Sequence, residues 1–265
     1  LQSSVGTIYS DVENELKNNR KVMFIGTACQ VDGLKKFLGR EYESLLTVDI
    51  ICHGVPSPKL WSEYLYMLEE ENNSSVEYVN FRYKRPSWTQ FSLFCRLKNG
   101  RTIIRSKFDD PYLIAFLKEM SIRENCYSCP YTNTERVGDM TLADFWGYKS
   151  TTFKMRNTEK GISLVLINSE KGMEYFNRIK DHISFTEKEL NEAMSGNRSL
   201  KEPWKKNPLA DKFWNAYLTN NDLKETFESF CQPYRFPIKM KLNWFILNHL
   251  YLIPRPILRW KGLIK

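Results

Sequence analysis

No apolar run in the chain approaches the roughly 20 residues that a membrane-spanning helix needs. Cysteine is scarce, with six among 265 residues, which argues against the dense disulfide framework of a small secreted domain. Internal repeats and low-complexity linkers are missing as well. We therefore expect a cytoplasmic protein in a reducing setting, where clustered cysteines more often hold metal or carry out redox chemistry.

Acidic residues are absent after Glu228, although the chain as a whole has a net charge of +8. The basic residues of this segment are Arg235, Lys239, Lys241, Arg255, Arg259, Lys261 and Lys265. No zinc-finger or RNP-type motif accompanies them, so we do not expect a nucleic-acid partner. From Phe236 to Lys265 they alternate with aromatic and apolar residues, which fits an amphipathic helix packed on the core. The less common alternative is peripheral contact with an anionic membrane surface.

The stretch from Lys21 to Pro58 has the pattern of a strand, a helix, a second strand and the start of another helix. Val22 to Ile25 and Leu45 to Ile51 are its two apolar runs, and each ends in a loop that carries one cysteine. These cysteines are Cys29 and Cys52. Since the carboxyl ends of parallel strands meet at one edge of a sheet, the two thiols can share one site.

The whole pattern predicts an α/β fold, α+β overall, with a mixed, partly parallel sheet and flanking helices. A small antiparallel β lobe is expected around residues 76–106, with a hairpin turn at Asn99-Gly100. Further strands are predicted at Asp139–Phe145, Ile162–Asn168 and Ile183–Phe185. We place a domain boundary near residue 200, so that residues 201–265 form a helical, basic C-terminal extension.

Cys126 and Cys129 form a Cys-x-x-Cys pair that Pro130 and a polar loop follow. A redox dithiol usually sits at the start of a helix, so this pair more readily indicates a metal site. Together with Cys29 and Cys52 it would supply four thiolates, which fit a 4Fe–4S cluster or a structural zinc equally well. Buried apolar residues are an equally good interpretation of Cys29 and Cys52. Cys95 and Cys231 have no partner at ligand spacing, and we interpret them as buried apolar residues.

Both cysteine-bearing loops precede predicted helix starts, where free backbone N–H groups favour phosphate. Neither loop has a Gly-x-Gly-x-x-Gly or a Walker motif, so a nucleotide is only weakly indicated. His53 can donate a hydrogen bond to a flavin ring or relay a proton, and a loop histidine bonded to backbone is an equally good interpretation.

Four motifs together resemble the coenzyme F(420) hydrogenase/dehydrogenase beta-subunit family, and in particular its bacterial members associated with polysaccharide biosynthesis. They are Gly26-Thr27-Ala28-Cys29-Gln30, the segment from Asp49 to Pro58, Cys126-x-x-Cys129 and Ala143-Asp144-Phe145-Trp146-Gly147. The resemblance extends from about Ser3 to Leu200, which makes residues 1–200 a domain of that type.

The resemblance implies an oxidoreductase that contains FAD and a 4Fe–4S cluster and passes electrons to a second redox partner. Carried onto this sequence, the cluster ligands are Cys29, Cys52, Cys126 and Cys129. The residues expected to line the flavin are Gly26, Thr27, Gln30, His53, Gly54 and Asp144, with His53 as the catalytic candidate. A buried carboxylate that caps a neighbouring loop is an equally good interpretation of Asp144.

Relatives usually carry an N-terminal ferredoxin-like domain, and nothing of that kind precedes Leu1. The resemblance therefore implies either that such a domain was removed or that a separate ferredoxin or another electron-transfer protein supplies electrons. Two rival functions stay open at this point. One is a zinc-stabilised, non-redox scaffold, and the other is a glycan-modifying enzyme that uses a nucleotide sugar.

Overall fold

The computed structural model describes residues 3–85, 87–148 and 160–234, and the predicted amphipathic segment from Phe236 to Lys265 lies outside them. The described residues form eight α-helices: α1 (Ile8–Lys17), α2 (Ala28–Leu38), α3 (Pro58–Asn72), α4 (Pro111–Leu117), α5 (Glu170–Ile179), α6 (Leu190–Gly196), α7 (Ala210–Asn220) and α8 (Leu223–Phe230). They form seven strands: β1 (Val22–Thr27), β2 (Leu45–Ile50), β3 (Val76–Tyr83), β4 (Ser92–Leu97), β5 (Thr102–Ser106), β6 (Met140–Asp144) and β7 (Ser163–Ile167). None of these helices combines the length and apolar character that crossing a bilayer requires.

The chain divides into two compact units. The first unit comprises Leu1–Ser57 and Ile122–Lys206, and the second comprises Pro58–Ser121 and Asn207–Lys265. The predicted domains, residues 1–200 and 201–265, stay a prediction, because much of the second range lies outside the described residues.

The first unit is built on a four-stranded sheet in the order β1-β2-β6-β7. β1, β2 and β6 are parallel, and β7 is antiparallel to β6, so the predicted mixed α/β sheet is confirmed. Helices cover both faces of β2: Leu45 packs with α1 and α2, whereas Leu46 and Val48 pack with α5. This arrangement explains why β2 reads as a continuous apolar run rather than an alternating one.

The second unit contains the antiparallel sheet β3-β4-β5, which is the predicted β lobe. Asn99-Gly100 forms the expected hairpin turn, with Gly100 at a φ of +84° and the Asn99 Oδ1 accepting a hydrogen bond from the Arg101 N–H. The inner face of the sheet packs on α3, α4, α7 and α8 through a core that includes Leu93, Tyr64 and Phe213. Cys95 and Cys231 both lie in this core.

Two details of the predicted secondary structure are wrong. Ile183–Phe185 is a loop rather than a strand, since the Phe185 ring packs edge-on against Phe176 of α5, with 5.2 Å between ring centroids. The second is the helix that the sequence predicts from Asp109 or Asp110 to about Met120: it ends at Leu117, because Glu119 takes a left-handed backbone conformation with a φ of +54°.

A buried carboxylate begins α4 in the second unit. Asp110 caps the helix by accepting a hydrogen bond from the Leu113 N–H, and the Tyr64 hydroxyl donates to its other oxygen. Burial raises the pKa of Asp110 from its ordinary value of 3.8 to about 6, although these hydrogen bonds and the Arg105 charge oppose the shift. The folded protein therefore binds this proton more tightly than the unfolded chain does.

This difference predicts a pH-dependent stability. The protonated Asp110 carboxyl stabilises the folded state relative to the unfolded chain. This stabilisation is fully present below pH 4 and is lost as the pH rises through about 6. Asp110→Asn keeps the cap but cannot ionise, so between pH 4 and 7 the free energy of unfolding of the wild type should fall by about 2–3 kcal/mol relative to the variant. Urea unfolding of both proteins at a series of pH values measures this. A difference that stays constant over this range would contradict the assignment.

Candidate functional site

Three of the predicted site residues, Cys29, Cys52 and Asp144, lie at the carboxyl edge of the parallel strands. Thr27, Ile50 and Leu142 form one row across β1, β2 and β6. Cys29, Cys52 and Asp144 each lie two residues beyond that row. The expectation that the two cysteines follow neighbouring parallel strands is confirmed, but Cys29 lies on the first turn of α2 rather than in a loop, because α2 begins directly after β1.

The Cys126–Cys129 pair reaches the same part of the first unit through a short backbone contact. Pro56 and Ile122 form an antiparallel bridge, and the Arg123 N–H donates to the Val55 carbonyl at 3.0 Å. A 3₁₀ turn, Glu124–Ser128, then carries Cys126 and is followed directly by Cys129. The loop that begins at Cys52 is thereby joined to the segment that leads into Cys126.

The loop after the cysteine pair is fixed by a buried ion pair. The Arg136 guanidinium pairs with Asp49 of β2, and their side chains are 2% and 0% exposed. Asp49 also accepts a hydrogen bond from the Gly138 N–H at 2.9 Å, while Arg136 donates to the Tyr131 carbonyl at 2.6 Å. These bonds give the Asp49 carboxylate and the Arg136 guanidinium hydrogen-bond partners in the protein interior. A buried ion pair is tolerated under this condition.

Two further hydrogen bonds tie this loop to α2, the helix on which Cys29 stands. The Tyr131 hydroxyl donates to Asp32 at 2.6 Å, and the Lys35 ammonium donates to the Val137 carbonyl at 2.6 Å. The segments that carry Cys29, Cys52 and the Cys126–Cys129 pair are therefore linked directly to one another.

The four thiols lie close enough for their charges to interact. The pKa of Cys52 is raised to about 11, mainly by burial and to a smaller extent by the charges of Cys126, Cys29 and Cys129, while a hydrogen bond from the Gly54 N–H opposes the shift. Burial likewise raises the pKa of Cys129, as do Cys29 and Cys126, whereas the Tyr131 N–H and the Arg136 charge lower it. The four cysteines that the sequence singled out therefore lie in the same region of the first unit.

Within residues 3–85, 87–148 and 160–234, no group of three or more His, Cys, Asp or Glu side chains is arranged around a single metal ion. The assignment of the four cysteines as metal ligands stays a prediction.

The predicted flavin residues at the end of β1 shape the first turn of α2. The Gln30 Oε1 accepts hydrogen bonds from the Thr27 N–H at 3.0 Å and from the Thr27 hydroxyl at 3.1 Å. The Thr27 hydroxyl also lies 3.1 Å from the Cys29 sulfur. A Cβ at Gly26 would come within 3.1 Å of the Gln30 side chain, which leaves little room for any residue but glycine. Contact of these residues with a flavin stays a prediction.

His53 and Gly54 lie in the loop that begins at Cys52. Gly54 has a φ of +147°, and a Cβ there would come within 3.1 Å of Ile122, so both backbone and packing favour glycine. The His53 ring contacts the Trp204 ring, with 4.4 Å between centroids. The predicted catalytic residue His53 is thus in contact with Trp204, which was not among the predicted site residues.

Asp144 is the last residue of β6, where it pairs with Ser163 of β7. Its carbonyl accepts a hydrogen bond from the Trp146 N–H at 3.0 Å. The following turn approaches α6 closely, because a Cβ at Gly196 would lie 1.6 Å from the Trp146 carbonyl oxygen. Both predicted roles of Asp144, cofactor contact and loop cap, stay predictions.

Sequence analysis missed Arg136 and Trp204 and gave Asp49 no role. Asp49 does carry a signal, since it is a charged residue inside the apolar run of β2 and so demands a buried partner. Its partner lies 87 residues away, and no local pattern indicates it.

We expect Asp49→Asn to lower the free energy of unfolding by about 3–5 kcal/mol, because it leaves the Arg136 charge buried without its counterion. The matched control is Glu174→Gln, which breaks the exposed Arg178–Glu174 pair of the same unit and should cost less than about 1 kcal/mol. Urea unfolding measures both values. Similar losses in the two variants would show that the buried pair does not fix the loop.

Comparison with known proteins identifies the family of the chain. No curated protein is significantly similar to the chain. A sequence model of the family described as the C terminus of the beta subunit of coenzyme F(420) hydrogenase/dehydrogenase matches residues 19–193, which is more than half of the 265 residues. All four cysteines of the site lie within the matched range. The family predicted from the motifs is thereby confirmed, and its polysaccharide branch stays a prediction. The chain therefore belongs to a family of oxidoreductase-related domains, the one defined by the C-terminal part of the coenzyme F(420) hydrogenase/dehydrogenase beta subunit.

Proposed function

We propose that the chain is a flavin- and iron–sulfur-dependent oxidoreductase that passes electrons between a 4Fe–4S cluster, FAD and a second redox partner. One observation carries the proposal: Cys29 and Cys52 follow neighbouring parallel strands at one edge of the sheet, and the Pro56–Ile122 bridge joins the Cys52 loop to the segment that leads into Cys126 and Cys129. Four thiolates are the ligand set of such a cluster. The family of the chain is itself named for redox enzymes.

The residues present fit a thiolate-bound iron centre in their chemistry. Burial and neighbouring thiols both disfavour the charged form of Cys52. A cationic metal centre removes that penalty, because it binds the thiolate and releases the proton. The Arg136 charge near Cys129 also favours the thiolate there.

A flavin would be bound at the same carboxyl edge. The first turn of α2 presents backbone N–H groups suited to a phosphate of the dinucleotide, and Gly54 keeps the neighbouring loop free of a side chain. The His53 ring, held against Trp204, would orient the flavin ring or hold a proton beside it. When bound, the flavin and the cluster together supply the exchange between one-electron and two-electron transfer.

A ferredoxin or another electron-transfer protein would be the partner under this proposal. We also propose that the protein acts in polysaccharide biosynthesis. A further proposal is that its basic C-terminal segment contacts the membrane surface. The charge of residues 235–265 supports the membrane contact in particular.

Cys126→Ala tests the ligand assignment. Anaerobically purified wild type should contain about four irons per chain with matching sulfide, together with one FAD. The variant should lose the iron and the visible absorption of the cluster while keeping the far-UV circular dichroism of the wild type. Cys95→Ala is the matched control, because Cys95 is fully buried in the core of the second unit and should leave the iron content unchanged.

Two results would contradict the proposal. Zinc without flavin in the wild type would favour the scaffold function, and a tight nucleotide-sugar complex without flavin would favour a glycan-modifying enzyme. Full iron and sulfide in Cys126→Ala would show that the ligand assignment is wrong even if the protein is a redox enzyme.

A further inference from the structure

Residues 198–206, which we call the strap, follow α6 and are anchored at their start. Arg198–Leu200 is a 3₁₀ turn in which Ser199 and Leu200 are buried. Leu200 packs with Phe145 and Leu164, next to the carboxyl end of β6. The strap lies outside the matched family range of 19–193.

The strap makes its first contact through Trp204. The Trp204 ring lies against His53, the residue after Cys52, with 4.4 Å between centroids. Its indole N–H donates to the Ser199 hydroxyl at 3.1 Å, and the Arg198 guanidinium lies over the same ring at 5.4 Å. The indole is thus held by the strap itself while its ring contacts the loop that begins at Cys52.

The second contact is made by Lys206 at the other end of the strap. Its ammonium lies 2.9 and 3.1 Å from the two carboxylate oxygens of Glu124. It also lies 5.9 Å from the ring centre of Tyr127, which stands between Cys126 and Cys129. Glu124 begins the 3₁₀ turn that carries Cys126.

We propose that the strap is a positioning element that joins the loop containing Cys52 and His53 to the turn that carries Cys126, and that it shields these two thiols. Trp204 positions His53 beside Cys52, and Lys206 positions the turn that carries Cys126. The role of His53 in redox chemistry rests on the proposed function, but the shielding of the thiols does not. Since an exposed ion pair contributes little, the Trp204 contact should dominate.

Residue-resolved alkylation tests the proposal on reduced, metal-free full-length protein, with iodoacetamide as the probe and mass spectrometry as the readout. Cys29 is the internal reference, because it is exposed on the first turn of α2, where its sulfur lies 3.1 Å from the Thr27 hydroxyl. In Trp204→Ala the rate at Cys52 relative to Cys29 should rise about fivefold, or about 1 kcal/mol at 1.4 kcal/mol per factor of ten. Trp204→Phe keeps an aromatic ring on His53 and should restore the wild-type ratio.

Lys206→Gln provides an independent surface variant with its own readout. It should raise the rate at Cys126 relative to Cys29 about twofold, whereas the neighbouring charge-matched control Lys205→Gln should not. Unchanged ratios at Cys52 in Trp204→Ala and at Cys126 in Lys206→Gln would overturn the proposal. Equal increases at all four cysteines would do so as well, because they would indicate general loosening of the unit. Since no cofactor is present, these outcomes are independent of whether the wild type binds iron or flavin.

Discussion

The buried ion pair between Asp49 and Arg136 is the constraint on which the site depends. Removing two charges from water costs several kcal/mol for each ion, and this cost is offset only when the remaining donors and acceptors are satisfied. Here the Gly138 N–H and the Tyr131 carbonyl satisfy them. The loop after Cys129 makes all of these bonds in the same conformation, and together they fix its position against β2.

The other links of the site add to this position rather than compete with it. Tyr131 and Lys35 connect the same loop to α2, and the Pro56–Ile122 bridge connects the Cys52 loop to the segment before Cys126. Each bond joins segments that are far apart in the sequence. Backbone and side-chain contacts thus place the segments that carry the four cysteines in one region, and the raised pKa values of Cys52 and Cys129 keep these two groups as neutral thiols there.

The sequence predicts those parts of the site that have local signals. The apolar runs that end before Cys29 and Cys52, the break after Leu38 at Gly39 and the start of α3 at Pro58 all correspond to the structure. The Arg136–Asp49 pair and the Trp204–His53 contact had no such signal, because partners of this kind are set by tertiary packing. The strand predicted at Ile183–Phe185 is wrong for the same reason. Its alternation of apolar and polar residues is too short to specify pairing with another strand, and Phe185 packs on α5 instead.

The thiols and the contacts around His53 are held by different parts of the first unit. The ion pair and its hydrogen bonds involve β2, α2 and the loop at 131–138, all within the matched family range. The strap begins beyond that range, and its contacts are to His53, Glu124 and Tyr127. A substitution in the strap can therefore alter the surroundings of His53 while the buried network keeps the four cysteines in place. A change in the nine residues 198–206 can in this way alter what surrounds His53 without altering the residues that hold the thiol site.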